Sequence, residues 1–217
     1  MGIRPVQAQE VFVKELTRRS REKAERREQL LAAASRLFAE RGFRAVSIED
    51  LASDAGVSGP ALYRHFESKE SILADLLINV SEQLLRQGSD RVANVTSPSD
   101  ALRSLITFHT DFALRDRDLI RIQDHDFADL ATVDAKTVSR LQRAYLEVWV
   151  SVLHEFDSTD SESVIRTKIQ AVFGLLNSTP HSALHRDTET TRAVLEEMAV
   201  DALRLPVLRS SSPPTAT

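Results

Sequence analysis

An all-α fold is predicted by three observations. Apolar residues recur at helical spacing in nearly every readable segment, strand-like alternation is weak throughout, and Gly, Pro and Ser fall where helices would begin or stop. The expected architecture is an N-terminal three-helix bundle with a helix-turn-helix, followed by a larger C-terminal helical domain, about nine helices in all. No internal repeat is present.

The elements follow in order. Leu30, Leu31, Ala34, Leu37 and Phe38 form one stripe that ends at Gly42, a good left-handed cap, with Phe43 just beyond it. Ser47, with Asp50 three residues on, reads as a capping-box start to a short helix. That helix should bury Ile48, Leu51, Ala52 and Ala55 before Gly56 stops it. Val57 and Ser58 lead into a second run that ends near Phe66. Ser68 restarts a long helix with the stripe Ile72, Leu73, Leu76, Leu77, Val80 and Leu84.

A polar stretch from Gly88 to Ser99 is expected to break the pattern. Ser97-Pro98-Ser99-Asp100 then reads as an N-cap, a first-position proline and an acidic third position. The next helix should bury Leu102, Leu105, Ile106, His109 and Phe112. A shorter segment near Asp118–Leu130 carries Leu119, Ile120, Ile122 and Phe127. A clear amphipathic helix follows with Val138, Leu141, Tyr145, Val148, Trp149, Val152 and Phe156. The last two stripes are Ile165, Ile169, Val172, Phe173, Leu176 and Val194, Leu195, Met198, Leu203. The tail Ser210–Thr217 is low-complexity and expected to be disordered.

Composition excludes several function classes. Cysteine is absent, which removes disulfides, thiolate zinc sites and cysteine nucleophiles. The six glycines form no nucleotide-binding loop, so no nucleotide cofactor is expected. No apolar run approaches the ~20 residues that span a bilayer and no signal-peptide core is seen, so no membrane association and a cytoplasmic location are expected. The net charge of -4 is unevenly spread. Residues 1–27 carry eight Lys/Arg against four Glu, and everything after residue 70 carries 15 basic against 21 acidic residues. The basic end is where a phosphate backbone would be met, although a solvated charged helix accounts for the same run.

Ser47 to Phe66 holds the informative geometry. Two short helices joined by a Gly-containing turn are what a helix-turn-helix requires. In the second, Leu62 and Phe66 sit four apart and face inward, so Gly59, Pro60, Tyr63 and Arg64 look outward together. An exposed Tyr beside an exposed Arg, with His65 at the edge and Lys69 opening the next helix, suits phosphate and base-edge contact. Gly59 and Pro60 add little bulk, and the helix N-terminus favours phosphate. A plain helical hairpin would share this geometry.

The wording of the sequence separates the two readings. Residues 33–43 (AASRLFAERGF), 47–52 (SIEDLA), 55–66 (AGVSGPALYRHF) and 68–70 (SKE) closely resemble the DNA-binding domain of the TetR/AcrR family of transcriptional regulators, in order and without gaps. The resemblance implies phosphate contacts from Ser47 and Lys69. It implies that Ser58, Gly59, Pro60, Ala61, Tyr63, Arg64 and His65 lie in or beside the major groove, with Glu49 able to accept a hydrogen bond from a cytosine. It divides the chain into a basic extension (1–23), the DNA-binding domain (24–70), an effector-binding and dimerisation domain (71–207) and a tail (208–217). Glu10–Arg27 would either extend the first helix or form a basic arm.

The family plan further implies a homodimer through the last two long helices, Glu162–Ser178 and about Thr188–Leu205, and hence a near-palindromic operator of double-stranded DNA. It places a small-molecule effector pocket among the central helices, with His109, Phe112, Ile122, Tyr145, Trp149, Phe173 and Asn177 as candidate lining residues. The same residues serve equally well as core. The segment Arg115–Leu130 resembles family members that sense lipid or acyl-thioester metabolites. A ligand-released repressor is therefore expected, with activation as the other possible sign. The alternative is a DNA-binding protein of the same fold regulated by a protein partner. An enzyme is not expected: Asp124-His125-Asp126 and the pair His181/His185 lack a third metal ligand, no metal is implied, and no nucleophile elbow occurs.

Overall fold

The computed structural model describes residues 5–181 and 188–205, with side chains from residue 20 onward. Among the described residues there are nine α-helices, two short 3-10 turns and no strand. The helices are α1 (Pro5–Arg41), α2 (Ile48–Asp54), α3 (Gly59–Leu62), α4 (Lys69–Ala93), α5 (Pro98–Arg115), α6 (Arg117–Asp126), α7 (Thr132–Phe156), α8 (Glu162–Leu176) and α9 (Thr188–Ala202). The tail Ser210–Thr217 and His185 lie outside the described residues. Among the described residues no helix is long and apolar enough to cross a membrane, and no group of three or more acidic or histidine side chains is placed to hold a metal ion.

Two compact units emerge. The first comprises the described residues up to Leu77 together with Arg121–Ala135. Its core is the sequence stripe realised in space: Leu30, Ala33, Ala34, Leu37 and Phe38 of α1, Leu51 and Ala52 of α2, Leu62, Phe66, and Ile72, Leu73 and Leu77 of α4 are all buried. Ile48 and Ala55, expected in the core, are only half-buried because they sit at the two ends of a seven-residue helix. The N-terminal extension is part of α1, consistent with a stretch from residue 6 to 41 that contains neither Gly nor Pro to stop it. Helix α1 ends where Gly42 takes φ +80°, a conformation that side chains disfavour. Phe43 then turns back and packs edge-on against Phe38, with ring centroids 5.3 Å apart.

The second unit comprises Ile78–Ile120 and the described residues from Lys136 onward. Its core draws Leu102, Leu105 and Ile106 from α5, Trp149, Val152 and Leu153 from α7, Ile165, Ile169, Val172 and Leu176 from α8, and Leu195 and Ala199 from α9. Ser97 caps α5 through its hydroxyl, as its sequence predicts. Ion pairs tie neighbouring helices at the rim: Arg166 of α8 with Glu147 of α7, 2.9 Å at one of its contacts, and Arg192 of α9 with Asp111 of α5.

One expectation fails here. The polar stretch starting at Gly88 does not end the helix, and α4 continues to Ala93. Gly88 is a packing residue instead. A Cβ at that position would lie 2.5 Å from Cε2 of Tyr145, so the missing side chain leaves room for the tyrosine ring. The helix tolerates the glycine, at about 1 kcal/mol relative to alanine, because the ring fills the space.

Candidate functional site

The helix-turn-helix is assembled by local hydrogen bonds. Ser47 Oγ accepts from the Asp50 backbone N–H at 3.1 Å, and the Asp50 carboxylate accepts from the Ser47 backbone N–H at 2.9 Å and from its hydroxyl at 2.7 Å. These bonds hold the Asp50 carboxyl below its usual pKa. Arg36 of α1 reaches Asp54 at the far end of α2, at 2.7 Å, and fixes where that helix lies. Gly56, at φ +64°, makes the turn, closed by the Val57 N–H on Ala52 O at 2.9 Å.

The recognition segment then splits its residues between two environments. Leu62 and Phe66 are buried, whereas Tyr63 is 56% exposed and Ser58, Pro60 and Arg64 are exposed with it. Gly59, Ala61 and His65 are half-buried at its edges, and Ser47 and Glu49 are exposed. Regular helix is shorter than the sequence suggests: α3 spans Gly59–Leu62, and turns bonded from Arg64 N to Ala61 O and from His65 N to Leu62 O carry the chain to Phe66. One turn of helix supports little macrodipole, so the side chains matter more than the helix end.

Lys69 has an internal task that its place in the sequence does not reveal. Its ammonium donates to Phe43 O at 2.9 Å and Val46 O at 2.8 Å, and sits 4.3 Å from the Phe43 ring centroid. It thereby pins the turn that delivers Ser47 to α2. The same turn is gripped from residues near the end of α6. Arg44 pairs with Asp129 at 2.8 Å, and the Phe43 N–H donates to Asp126, a carboxyl whose pKa is raised chiefly by burial. Sequence reasoning missed these contacts, because Asp126 and Asp129 lie more than 80 residues from their partners and belong to no periodic pattern.

A separate cluster lies in the second unit. His109, Phe112, Tyr145, Trp149, Phe173 and Asn177 are brought together, while Ile122, buried, belongs to the first unit. The rings of His109, Tyr145 and Phe173 are nearly parallel, with centroids 4.9 to 5.8 Å apart. Trp149 stands edge-on to all three. His109 Nε2 lies 3.0 Å from Asn177 Oδ1 and its Nδ1 lies 3.3 Å from the Tyr145 hydroxyl. With Oδ1 accepting, Nε2 carries the proton and Nδ1 accepts from tyrosine. Burial lowers the His109 pKa to about 4, so the imidazole is neutral. Burial likewise raises that of the Tyr145 phenol. Thr110 Oγ1 is buried without a hydrogen-bond partner, whereas the Trp149 indole N–H is directed to the Tyr145 hydroxyl. An unpaired buried donor costs on the order of 1–3 kcal/mol, which an acceptor atom on a ligand would relieve.

Residues 30–76 match the family described as bacterial regulatory proteins, tetR family. The HTH-type transcriptional repressor KstR2 of Rhodococcus jostii (strain RHA1) is 32% identical over 132 residues, which cover 60% of this chain and 65% of that protein. The chain thus spans a little under two thirds of the length of that relative. Among solved structures, a TetR-family transcriptional regulator from Bordetella parapertussis superposes with a TM-score of 0.74 at 21% identity, covering 82% of this chain and 93% of that one. FadR from Bacillus subtilis, solved in complex with stearoyl-CoA, gives 0.65 at 18% identity, covering 81% and 98%. At those identities the likeness shows the fold. The family match begins at the first buried leucine of α1 and ends inside α4, so it encloses the whole helix-turn-helix built above: over these residues the chain is similar to the tetR family of bacterial regulatory proteins, and the relatives named here are transcriptional regulators.

Proposed function

We propose that the protein is a cytoplasmic, ligand-responsive repressor that binds a near-palindromic operator as a homodimer and is released by a small effector. The observation that carries the DNA-binding part is the split at α3, where Leu62 and Phe66 anchor the segment and leave Tyr63 and Arg64 exposed side by side. On this reading Ser58, Gly59, Pro60, Ala61, Tyr63, Arg64 and His65 meet the major groove and its flanking phosphates. Ser47 contacts phosphate, Glu49 reaches a base edge, and Lys69 offers its remaining proton to phosphate after pinning the Phe43–Val46 turn.

Dimerisation uses the outer faces of α8 and α9, where Val164, Val194 and Met198 are 43%, 48% and 50% exposed, with Ala171 and Gly174 exposed between them. A patch of this kind on two adjacent helices is what a self-complementary two-fold interface needs. The effector site is the cluster around His109, Tyr145, Trp149, Phe173 and Asn177, where apolar rings surround the polar groups of His109, Tyr145 and Asn177. The effector class is an acyl thioester, supported by FadR being solved with stearoyl-CoA on the same fold. A ligand that binds one spacing of the two DNA-binding domains better than another shifts the population away from the operator-competent one. The close packing of the ring cluster favours a second reading, in which a protein partner regulates the chain without a small molecule.

The test is operator binding by fluorescence anisotropy, using DNA from upstream of the protein's own gene, titrated with medium- and long-chain acyl-CoA. Release of bound DNA supports the effector reading. Tight site-specific binding that no acyl-CoA disturbs favours the partner-regulated alternative.

A further inference from the structure

Beyond the helix-turn-helix, α1 carries a second group of cations in an unexpected place. Lys23 and Arg26 stand three residues apart on α1 and so share a face. Together with Glu22, Arg64 and His65 they line an open cleft of about 470 Å³. Lys23, Arg26 and Arg64 are exposed, so three cations meet around one cleft against the single carboxylate of Glu22. His65 adds a buried Nδ1 that has no hydrogen-bond partner. Like charges gathered this way raise the free energy of the folded chain, and a bound anion reverses the sign of that contribution.

We propose that Lys23, Arg26, Arg64 and His65 form a seat for a DNA backbone phosphodiester, with α1 supplying a contact outside the helix-turn-helix. The inference rests on the DNA-binding reading above. A duplex phosphate is favoured over a free anion by position, because Arg64 belongs both to this cleft and to the exposed face with Tyr63. A backbone lying along that face meets Arg64 from one side and the α1 cations from the other. Arg27, the next residue on α1, is held differently: it pairs with Asp75 and stacks over Phe66 at 5.0 Å, so it positions α1 against the recognition segment. The charge surplus of residues 1–27 in an acidic protein then has a structural purpose.

The experiment measures duplex affinity over a series of salt concentrations for the full-length wild type and three variants. These are Lys23→Ala/Arg26→Ala, the conservative exchange Lys23→Arg/Arg26→Lys, and a charge-matched control, Lys136→Ala/Arg140→Ala on α7. Both the upstream DNA and an unrelated duplex are used, and circular dichroism checks that each variant is folded. With one seat in each protomer of the proposed dimer, the proposal requires the first variant to lose about two units of slope in log affinity against log salt, from the ~0.9 expected per phosphate contact. It also requires about tenfold weaker binding on both duplexes, while the exchange and the control keep the wild-type slope. An unchanged slope in the Lys23→Ala/Arg26→Ala variant, with wild-type binding intact, overturns the inference alone. Wild type that binds neither duplex overturns the DNA-binding reading and this inference with it. If inorganic phosphate shifts the His65 imidazole signals in NMR while the variant's DNA slope stays that of wild type, the cleft is a free-anion site and the proposal is wrong.

Discussion

At the residue scale, the side chains that shape this molecule are those with two duties. Lys69 shows this plainly: a cation expected at phosphate spends two of its three protons on the carbonyls of Phe43 and Val46. His109 is the buried counterpart, neutral between Asn177 and Tyr145. Its pKa of about 4 in the folded chain against 6.5 unfolded gives a signed prediction. Below pH 6.5 the unfolded chain takes up a proton that the folded chain refuses, so this contribution is fully present above that pH and is lost as the pH falls toward 4. The loss amounts to about 3 kcal/mol. Urea unfolding followed across that window should show a steeper decline for wild type than for His109→Gln. Parallel curves would mean that His109 is not the titrating group. His109 was legible in the sequence as a polar residue on an apolar helix face, but its partners, 36 and 68 residues away, were not.

At the element scale, helix starts and stops were readable because they are local. The Ser47–Asp50 capping box, the Ser97 cap and the left-handed glycines at 42 and 56 need only neighbours in sequence, and all are realised. Gly88 was misread for the complementary reason. A glycine that ends a helix and one that admits a ring look alike in sequence, and Tyr145, 57 residues on, decides between them. Gly88→Ala is accordingly expected to destabilise the protein by about 1–2 kcal/mol through overpacking, despite the better helix propensity of alanine. Thermal melts of the two proteins check this, and a rise in melting temperature would show that the ring moves aside without cost. The α1 cleft escaped sequence reading in the same way, since Lys23 and Arg26 meet Arg64 only once the bundle is folded.

At the scale of the whole molecule, charge is segregated along the chain. The basic surplus lies in the first 27 residues, and the acidic excess lies after residue 70. The largest exposed apolar side chains outside the recognition segment include Val164, Val194 and Met198, on the last two helices. On the proposed dimer, Val194→Asp/Met198→Asp should yield monomers in sedimentation velocity and weaken operator binding at least tenfold, because one half-site alone would remain in contact. An undisturbed dimer would move the interface elsewhere. The helix-turn-helix was legible because it is a contiguous pattern, whereas the return of Arg121–Ala135 to the first unit was not. The aromatic cluster was legible as a set of inward-facing residues, and only packing reveals that six of the seven meet while Ile122 belongs to the other unit.

The most direct test of the central claim is the affinity of wild type and Tyr63→Ala for the upstream DNA, measured over a series of salt concentrations. Tyr63 is 56% exposed, so its removal should leave stability within about 0.5 kcal/mol of wild type. Site-specific, salt-weakened binding by wild type that Tyr63→Ala loses is the result predicted. Equal affinity of the two folded proteins for that DNA would contradict the account.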